Sequence, residues 1–124
     1  MSDTPGICIH EEAGWQPPDP LRAELLATLR AMSDAGLNVG TAGNASVRLS
    51  SARMLITPSG MPAERCTPQD MVEVEADGSY PGPLAPSSEW KLHHDIYAAF
   101  PAAGAVLHAH SPFATALACQ RIDI

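Results

Sequence analysis

The sequence contains few charged residues, and few of those are basic. Asp, Glu, Lys and Arg together make up 17 % of the 124 residues, and seven basic side chains stand against 14 acidic ones, for a formal net charge of −7. A diffuse negative field repels the phosphates of nucleic acids and of anionic lipids. We therefore expect neither a nucleic acid nor a membrane surface as a partner.

The sequence also lacks a long apolar run and a cysteine framework. No stretch reaches the roughly 18 to 20 apolar residues that a membrane span requires. The first residues, MSDTPGICIHEEAGW, carry early acids in place of the basic and then apolar pattern of a signal peptide. The three cysteines, Cys8, Cys66 and Cys119, are widely spaced and odd in number, which argues against a disulfide framework. These absences predict a cytoplasmic protein.

Proline and leucine spacing divides the chain into two predicted parts. Residues 1–18 hold three prolines and no sustained periodicity, so we expect an irregular N-terminal arm, followed by one domain over residues 19–124. That domain is predicted to open with a helix over residues 20–35, with Asp19 as the N-cap and Gly36 closing the C-terminal end. The apolar face of this helix is formed by Leu21, Leu25, Leu29 and Met32.

The rest of the domain alternates between predicted strands and helices. Strands are predicted at residues 45–49, 54–57, 71–75 and 105–109, and the first two are expected to pair as a hairpin. A second helix is predicted from a cap at Ser87 or Ser88 to about Phe100, with Glu89 in its first turn, and a third from residue 111 to about Cys119. This order predicts an α/β layered domain with helices over a mostly antiparallel or mixed sheet.

A histidine pair near the end of the chain suggests a metal site. His108 and His110 are separated by one residue on a predicted strand, so both side chains leave the strand on the same face. Two imidazoles placed in this way can converge on one cation such as zinc. An isolated pair of this kind is more often two ordinary histidines at a strand end. His93 and His94 are interpreted as helix residues, one facing the core and one facing solvent.

Three short polar segments could bind an anion. Residues 43–46 and 57–60 are turns with Asn, Ser, Thr and Gly, and residues 87–89 are Ser-Ser-Glu at a predicted helix start. Each segment alone is typical of an ordinary turn or cap. If all three gathered at one end of the sheet, they would form a phosphate site beside the histidine pair, with Glu89 between them. That arrangement suits metal-assisted chemistry next to the carbonyl of a sugar phosphate.

Four segments together resemble a known family. TAGNASVRLS, MLITPSGMP, PSSEWKLHHDIY and VLHAHSPFATA, in this order and spacing, are similar to the class II aldolase/adducin family, and most to its L-fuculose-1-phosphate aldolase branch. The resemblance runs from about Pro20 to Ile124. It implies a three-layer α/β/α fold with a mainly antiparallel or mixed central sheet.

The resemblance also implies roles for individual residues. Substrate phosphate is assigned to Asn44, Ser59, Gly60, Ser87 and Ser88, and a divalent ion, usually zinc, to His108 and His110. Glu89 is implied to be the catalytic acid and base next to the metal, and it is also a candidate third metal ligand.

The implied activity is that of a zinc-dependent lyase of carbohydrate metabolism. It would cleave a ketose 1-phosphate into dihydroxyacetone phosphate and an aldehyde, while zinc polarises the ketose oxygens and stabilises an enediolate and Glu89 moves the proton. Related 4-epimerases tend to carry aspartate after the two serines, so Glu89 favours an aldolase. An epimerase, a dehydratase of the same family and a non-catalytic adducin-like interaction module stay open as alternatives.

The chain departs from the family pattern at its C-terminal end. Similar family members place a third metal histidine and a tyrosine proton donor well beyond the histidine pair, and neither is present before Ile124. His10, His93 and His94 do not lie in the matching place. We therefore expect the N-terminal portion of a longer protein, with weak metal binding and little or no turnover by these 124 residues alone. The full-length family member is expected to be a homotetramer.

Overall fold

The computed structural model describes residues 19–38 and 41–109. The predicted arm (1–18), the predicted third helix (111–119) and His110 therefore lie outside the described residues. Within the described part, no helix is long and apolar enough to cross a membrane.

The first helix, α1, spans Asp19–Asp34 and agrees with the predicted helix to within one residue. Its apolar stripe is buried except at Leu21, which is partly buried, and its C-terminal end is closed by Gly36, which adopts a positive φ of 76°. The N–H of Leu37 donates to the carbonyl of Met32 at 2.9 Å across this end. Glycine meets this left-handed conformation without the steric cost that a side chain would add, so the predicted cap is confirmed.

Four strands form one antiparallel sheet. They are β1 (Asn44–Ser50), β2 (Arg53–Ile56), β3 (Val72–Glu75) and β4 (Ala105–His108), in the order β3-β2-β1-β4. Every neighbouring pair is antiparallel, so the expectation of a mostly antiparallel or mixed sheet is confirmed in its antiparallel form. The predicted hairpin is β1 and β2. Two short 3-10 helices, Ala63–Arg65 and Pro68–Asp70, lie between β2 and β3 and were not predicted.

The described part has three layers. On one face of the sheet, α1 packs its leucines and Met32 against Ala45 and Leu55. On the other face lies a second helix, α2 (Trp90–Ala99), whose Tyr97 packs with apolar strand residues. The strand residues of this second core are Met54, Ile56, Val72, Val74 and Val106. Alternation of side chains along the strands separates the two cores, which confirms the α/β/α arrangement.

The start of α2 differs from the prediction. Neither Ser87 nor Ser88 caps it: the N-cap is Glu89, which precedes the first helical turn, and its side chain does not cap the helix. The reason is that the N–H of Ser87 donates to the carbonyl of Thr57 at 2.9 Å, which holds this backbone against the end of β2. The hydroxyl of Ser87 accepts the N–H of Glu89 at 3.2 Å. The Glu89 carboxylate is therefore directed to other partners.

Candidate active site

One open cleft lies at the end of the sheet where β1 begins and where β2 and β4 end. Its volume is about 390 Å³, and it is lined by residues 41–44, 58–60 and 87–89. The three polar segments that the sequence analysis singled out thus meet in one place. The predicted residues in the lining are Asn44, Ser59, Gly60, Ser87, Ser88 and Glu89.

Thr57 connects the three segments through its backbone and its side chain. Its hydroxyl accepts the N–H of Ala45 at 3.2 Å, and its own N–H donates to the carbonyl of Ala45 at 3.0 Å. Its carbonyl accepts the N–H of Ser87, as described above. Because Thr57 is only 1 % exposed, these bonds are shielded from water and hold the cleft walls together.

The TPSG turn contributes fewer anion-binding groups than expected. The N–H of Ser59 donates to the carbonyl of Ala85 at 3.0 Å, and the hydroxyl of Thr57 is buried. The N–H of Ser59 and the hydroxyl oxygen of Thr57 are therefore engaged within the fold, whereas these turn groups were only possible anion donors in the sequence. The exposed hydroxyl of Ser59 and Gly60, whose φ is 67°, remain in the cleft lining.

The Glu89 carboxylate is bound from two strands. One of its oxygens, Oε1, accepts the Nδ2–H of Asn44 at 2.7 Å and lies 2.6 Å from Nδ1 of His108. Asn44 and His108 are register partners on β1 and β4, so both side chains leave the sheet on the face that carries α2. The side chain of Glu89 is 39 % exposed and that of His108 is 26 % exposed. The acid and the histidine are thus adjacent at the edge of the cleft.

A buried polar chain lies behind Asn44. The Oδ1 of Asn44 contacts Nε2 of His93, whose Nδ1 lies 2.7 Å from the hydroxyl of Ser46. The same hydroxyl lies 2.7 Å from the phenol oxygen of Tyr97. Burial, with a smaller contribution from nearby His108, lowers the pKa of His93 from 6.5 to about 4, and burial raises the pKa of Tyr97. His93 is therefore neutral at pH 7.

Ser46 differs from its expected role, and His93 has a contact beyond its expected one. Ser46 was considered a ligand-binding side chain, but it is fully buried on the face under α2 and bonds to His93 and Tyr97. His93 faces the core and His94 is partly exposed, as predicted, but His93 also contacts a cleft residue, which the sequence analysis missed. A usable signal was present: Glu89, His93 and Tyr97 recur every fourth residue and so share one helical stripe.

The donor set at Glu89 and His108 suits a metal ion. Among residues 19–38 and 41–109, no group of three or more His, Cys, Asp or Glu side chains is placed to hold one. The structure nevertheless brings one imidazole nitrogen and one carboxylate oxygen together, which are ligand types that zinc takes. His110, the other predicted ligand, lies beyond the described residues. The described part thus holds two side chains of types that zinc binds, and their atoms Nδ1 and Oε1 are in direct contact with each other.

The cleft carries no basic side chain among its described lining residues. The polar side chains in the lining include the hydroxyls of Ser59, Ser87 and Ser88, the Asn44 amide and the Glu89 carboxylate. The hydroxyl of Ser87 accepts the N–H of Glu89, so its hydrogen remains available to a ligand. Hydrogen bonds to a charged acceptor are stronger than neutral ones, so the hydroxyls and the amide can bind an anion without a cation.

The three-layer α/β/α fold with its antiparallel sheet is the one that the family resemblance implies. The comparison with protein families agrees: the model of the Class II Aldolase and Adducin N-terminal domain matches residues 23–124. The chain belongs to this family, and the resemblance seen in the sequence is confirmed.

Two of the relatives found in this family are named as aldolases. The chain is 50 % identical over 99 residues to 5-methylthioribulose-1-phosphate/5-deoxyribulose-1-phosphate aldolase of Rhodospirillum rubrum, covering 80 % of this chain and 44 % of that protein. It is 41 % identical over 97 residues to L-fuculose phosphate aldolase of Escherichia coli K12, covering 78 % of this chain and 45 % of that protein. The chain thus spans less than half the length of these relatives.

A solved structure confirms the fold. An L-fuculose 1-phosphate aldolase superposes with a TM-score of 0.76 at 33 % identity, covering 86 % of this chain and 51 % of that one. The expected class II aldolase architecture is therefore confirmed for the described part.

Proposed function

We propose that this protein serves in the zinc-dependent aldol cleavage of a ketose 1-phosphate to dihydroxyacetone phosphate and an aldehyde. One observation carries the proposal: a single cleft collects the hydroxyls, the amide and the carboxylate of three separate segments, and His108 contacts that carboxylate. A purely structural module would not need an imidazole and a carboxylate in contact at the edge of an open polar cleft.

In this proposal the phosphate of the substrate binds the neutral donors of the cleft. The amide comes from Asn44 and the hydroxyls come from Ser59, Ser87 and Ser88. Gly60 has no side chain, so its backbone can approach the phosphate closely. The exposed Ser59 and Ser88 hydroxyls can rotate toward an anion without breaking a bond within the fold. The ketose end then points toward Glu89, which lies at the edge of the same cleft.

His108 and His110 would hold the zinc ion, and Glu89 would be its neighbour or third ligand. When bound, the ion would polarise the carbonyl and hydroxyl oxygens of the ketose. Retro-aldol cleavage removes a proton from the C4 hydroxyl, breaks the C3–C4 bond and adds a proton at C3, so it requires a group that moves one proton. We assign this role to Glu89, whose carboxylate is held by Asn44 and is accessible from the cleft.

Two relatives that are named as aldolases of phosphorylated ketoses support the substrate class. The higher identity is to the protein named for 5-methylthioribulose 1-phosphate and 5-deoxyribulose 1-phosphate, so five-carbon ketose 1-phosphates that lack the 5-hydroxyl are the first substrates to test. We extend the proposal to a cytoplasmic homotetramer, as the family resemblance implies.

Titration of the protein with zinc, monitored by calorimetry, tests the metal part of the proposal. We expect His108→Ala to weaken zinc binding by at least about 10-fold, because even loss of a group that supports a ligand costs 10- to 100-fold. His94→Ala is the matched control: this histidine lies on α2, and its side chain is 38 % exposed. Unchanged affinity in His108→Ala would show that the ligand assignment is wrong.

Release of dihydroxyacetone phosphate, measured with a coupled reductase, tests the reaction. Because we expect little turnover from these 124 residues alone, the assay uses a longer version that continues past Ile124. Glu89→Gln should lower kcat by about 100- to 10,000-fold while leaving zinc binding measurable. Full activity in this variant would remove Glu89 from the mechanism.

A further inference from the structure

We propose that His93, which the reaction itself does not use, is a positioning residue: in its Nε2–H tautomer it fixes the Asn44 amide so that Nδ2 faces Glu89. It does so as part of a one-way hydrogen-bond chain from Tyr97 through Ser46 and His93 to Asn44 and Glu89. The role in catalysis rests on the proposed function, whereas the direction of the chain rests only on the contacts described above.

The direction follows from the acceptor at the end of the chain. An ionised carboxylate can only accept, so the Asn44 atom that faces Glu89 is Nδ2, which carries the hydrogens. The other amide atom, Oδ1, can only accept, and it contacts Nε2 of His93. Nε2 must therefore carry the ring proton.

The second half of the chain follows from the neutral state of His93. A neutral imidazole with its proton on Nε2 has an acceptor at Nδ1, so the hydroxyl of Ser46 donates to it. The single hydrogen of Ser46 is then used, and its oxygen accepts the phenol hydrogen of Tyr97. Each hydrogen bond in the chain therefore has one possible direction.

Burial makes His93 necessary for this arrangement. His93 is 0 % exposed and Asn44 is 3 % exposed, so water cannot readily replace the ring as a partner for Oδ1. An Asn44 amide turned by 180° would present Oδ1 to the Glu89 carboxylate and Nδ2 to a ring N–H, which is unfavourable on both sides. With an apolar side chain in place of His93, Oδ1 would be a buried acceptor without this donor, and the Glu89 carboxylate alone would hold the amide.

Nuclear magnetic resonance of the 15N-labelled protein tests the proposal without metal or substrate. We expect His93 to show the long-range 1H–15N pattern of a neutral Nε2–H imidazole at pH 7. We also expect the two Asn44 side-chain amide protons to be well separated in shift and slow to exchange. A His93 that is protonated on Nδ1 alone, or on both nitrogens, would overturn the proposal.

Variants separate positioning from simple packing. His93→Phe should speed the exchange of the Asn44 side-chain amide protons with solvent and weaken zinc binding about 10-fold, whereas His93→Gln, which can still donate to Oδ1, should restore most of both. His94→Gln is the matched control and should change neither. Equally slow exchange of the Asn44 amide protons in a folded His93→Phe protein would overturn the proposal.

The two proposals fail in distinguishable ways. If the protein shows the Nε2–H tautomer and the protected Asn44 amide but its longer version that continues past Ile124 binds no zinc, the proposed function fails and the direction of the chain stands. If it binds zinc through His108 but His93 has the other tautomer, the positioning role fails and the proposed function stands.

Discussion

Asn44 and His108 lie opposite each other on β1 and β4, and both contact the same carboxylate oxygen of Glu89. Side chains of directly opposed residues in an antiparallel pair lie close together, so one carboxylate at the start of α2 can reach both. The site depends on this register, because a shift of β4 by one residue would turn His108 to the other face of the sheet.

Replacing Ser46 by alanine should destabilise the fold. The change removes the hydroxyl that bonds both His93 and Tyr97 and leaves two buried polar atoms without that partner. We expect a loss of about 1 to 3 kcal/mol in the free energy of unfolding, measured by urea denaturation. Ser51→Ala, in the exposed hairpin turn, should change it by less than about 0.5 kcal/mol. A loss at Ser46 no larger than at Ser51 would mean that the buried chain adds nothing to stability.

Gly78→Ala should lower the free energy of unfolding more than Gly36→Ala does. Both glycines have positive φ, 90° and 76°, so a side chain is strained at either position. A Cβ at Gly36 would meet open space, whereas one at Gly78 would lie 2.7 Å from a ring carbon of Trp90. We expect Gly78→Ala to exceed Gly36→Ala by about 1 to 3 kcal/mol in urea denaturation. Equal losses would show that the Trp90 ring moves away at no cost.

Because His93 is buried, the free energy of unfolding should decrease as the pH is lowered. Its pKa is about 4 in the fold and 6.5 when exposed, so the unfolded chain binds more protons between these values. The contribution of His93 is fully present above pH 6.5 and is lost as the pH falls toward 4, by at most about 1.4 kcal/mol per pH unit. The ionisable groups near His93 are Glu89, which favours protonation, and His108, which opposes it.

Urea denaturation at several pH values between 7 and 4 measures this effect. The slope of stability against pH should be shallower in His93→Gln than in the unaltered protein, because the variant has no group that titrates at this position. His94→Gln should keep the original slope, since its side chain is partly exposed. Parallel slopes for all three proteins would show that His93 is protonated equally in the folded and unfolded chain.

Much of the local structure was predictable from short-range patterns. The leucine spacing predicted α1, Gly36 predicted its end, and short strand-like segments between turns predicted all four strands to within one or two residues. The start of α2 was not predictable in this way, because the backbone of Ser87 is held by Thr57, thirty positions earlier in the chain. The predicted roles of the cleft residues remain predictions.

What the sequence by itself determined is the set of elements and the polar turns, since helix and strand periodicity, caps and glycine turns act over a few neighbouring residues. The tertiary structure alone decided that Ser46 is buried, that His93 supports Asn44, and that Asn44 and His108 meet at Glu89. These contacts join residues more than fifteen positions apart, and they depend on sheet order, register and burial. Such properties arise only when the separate elements pack against one another.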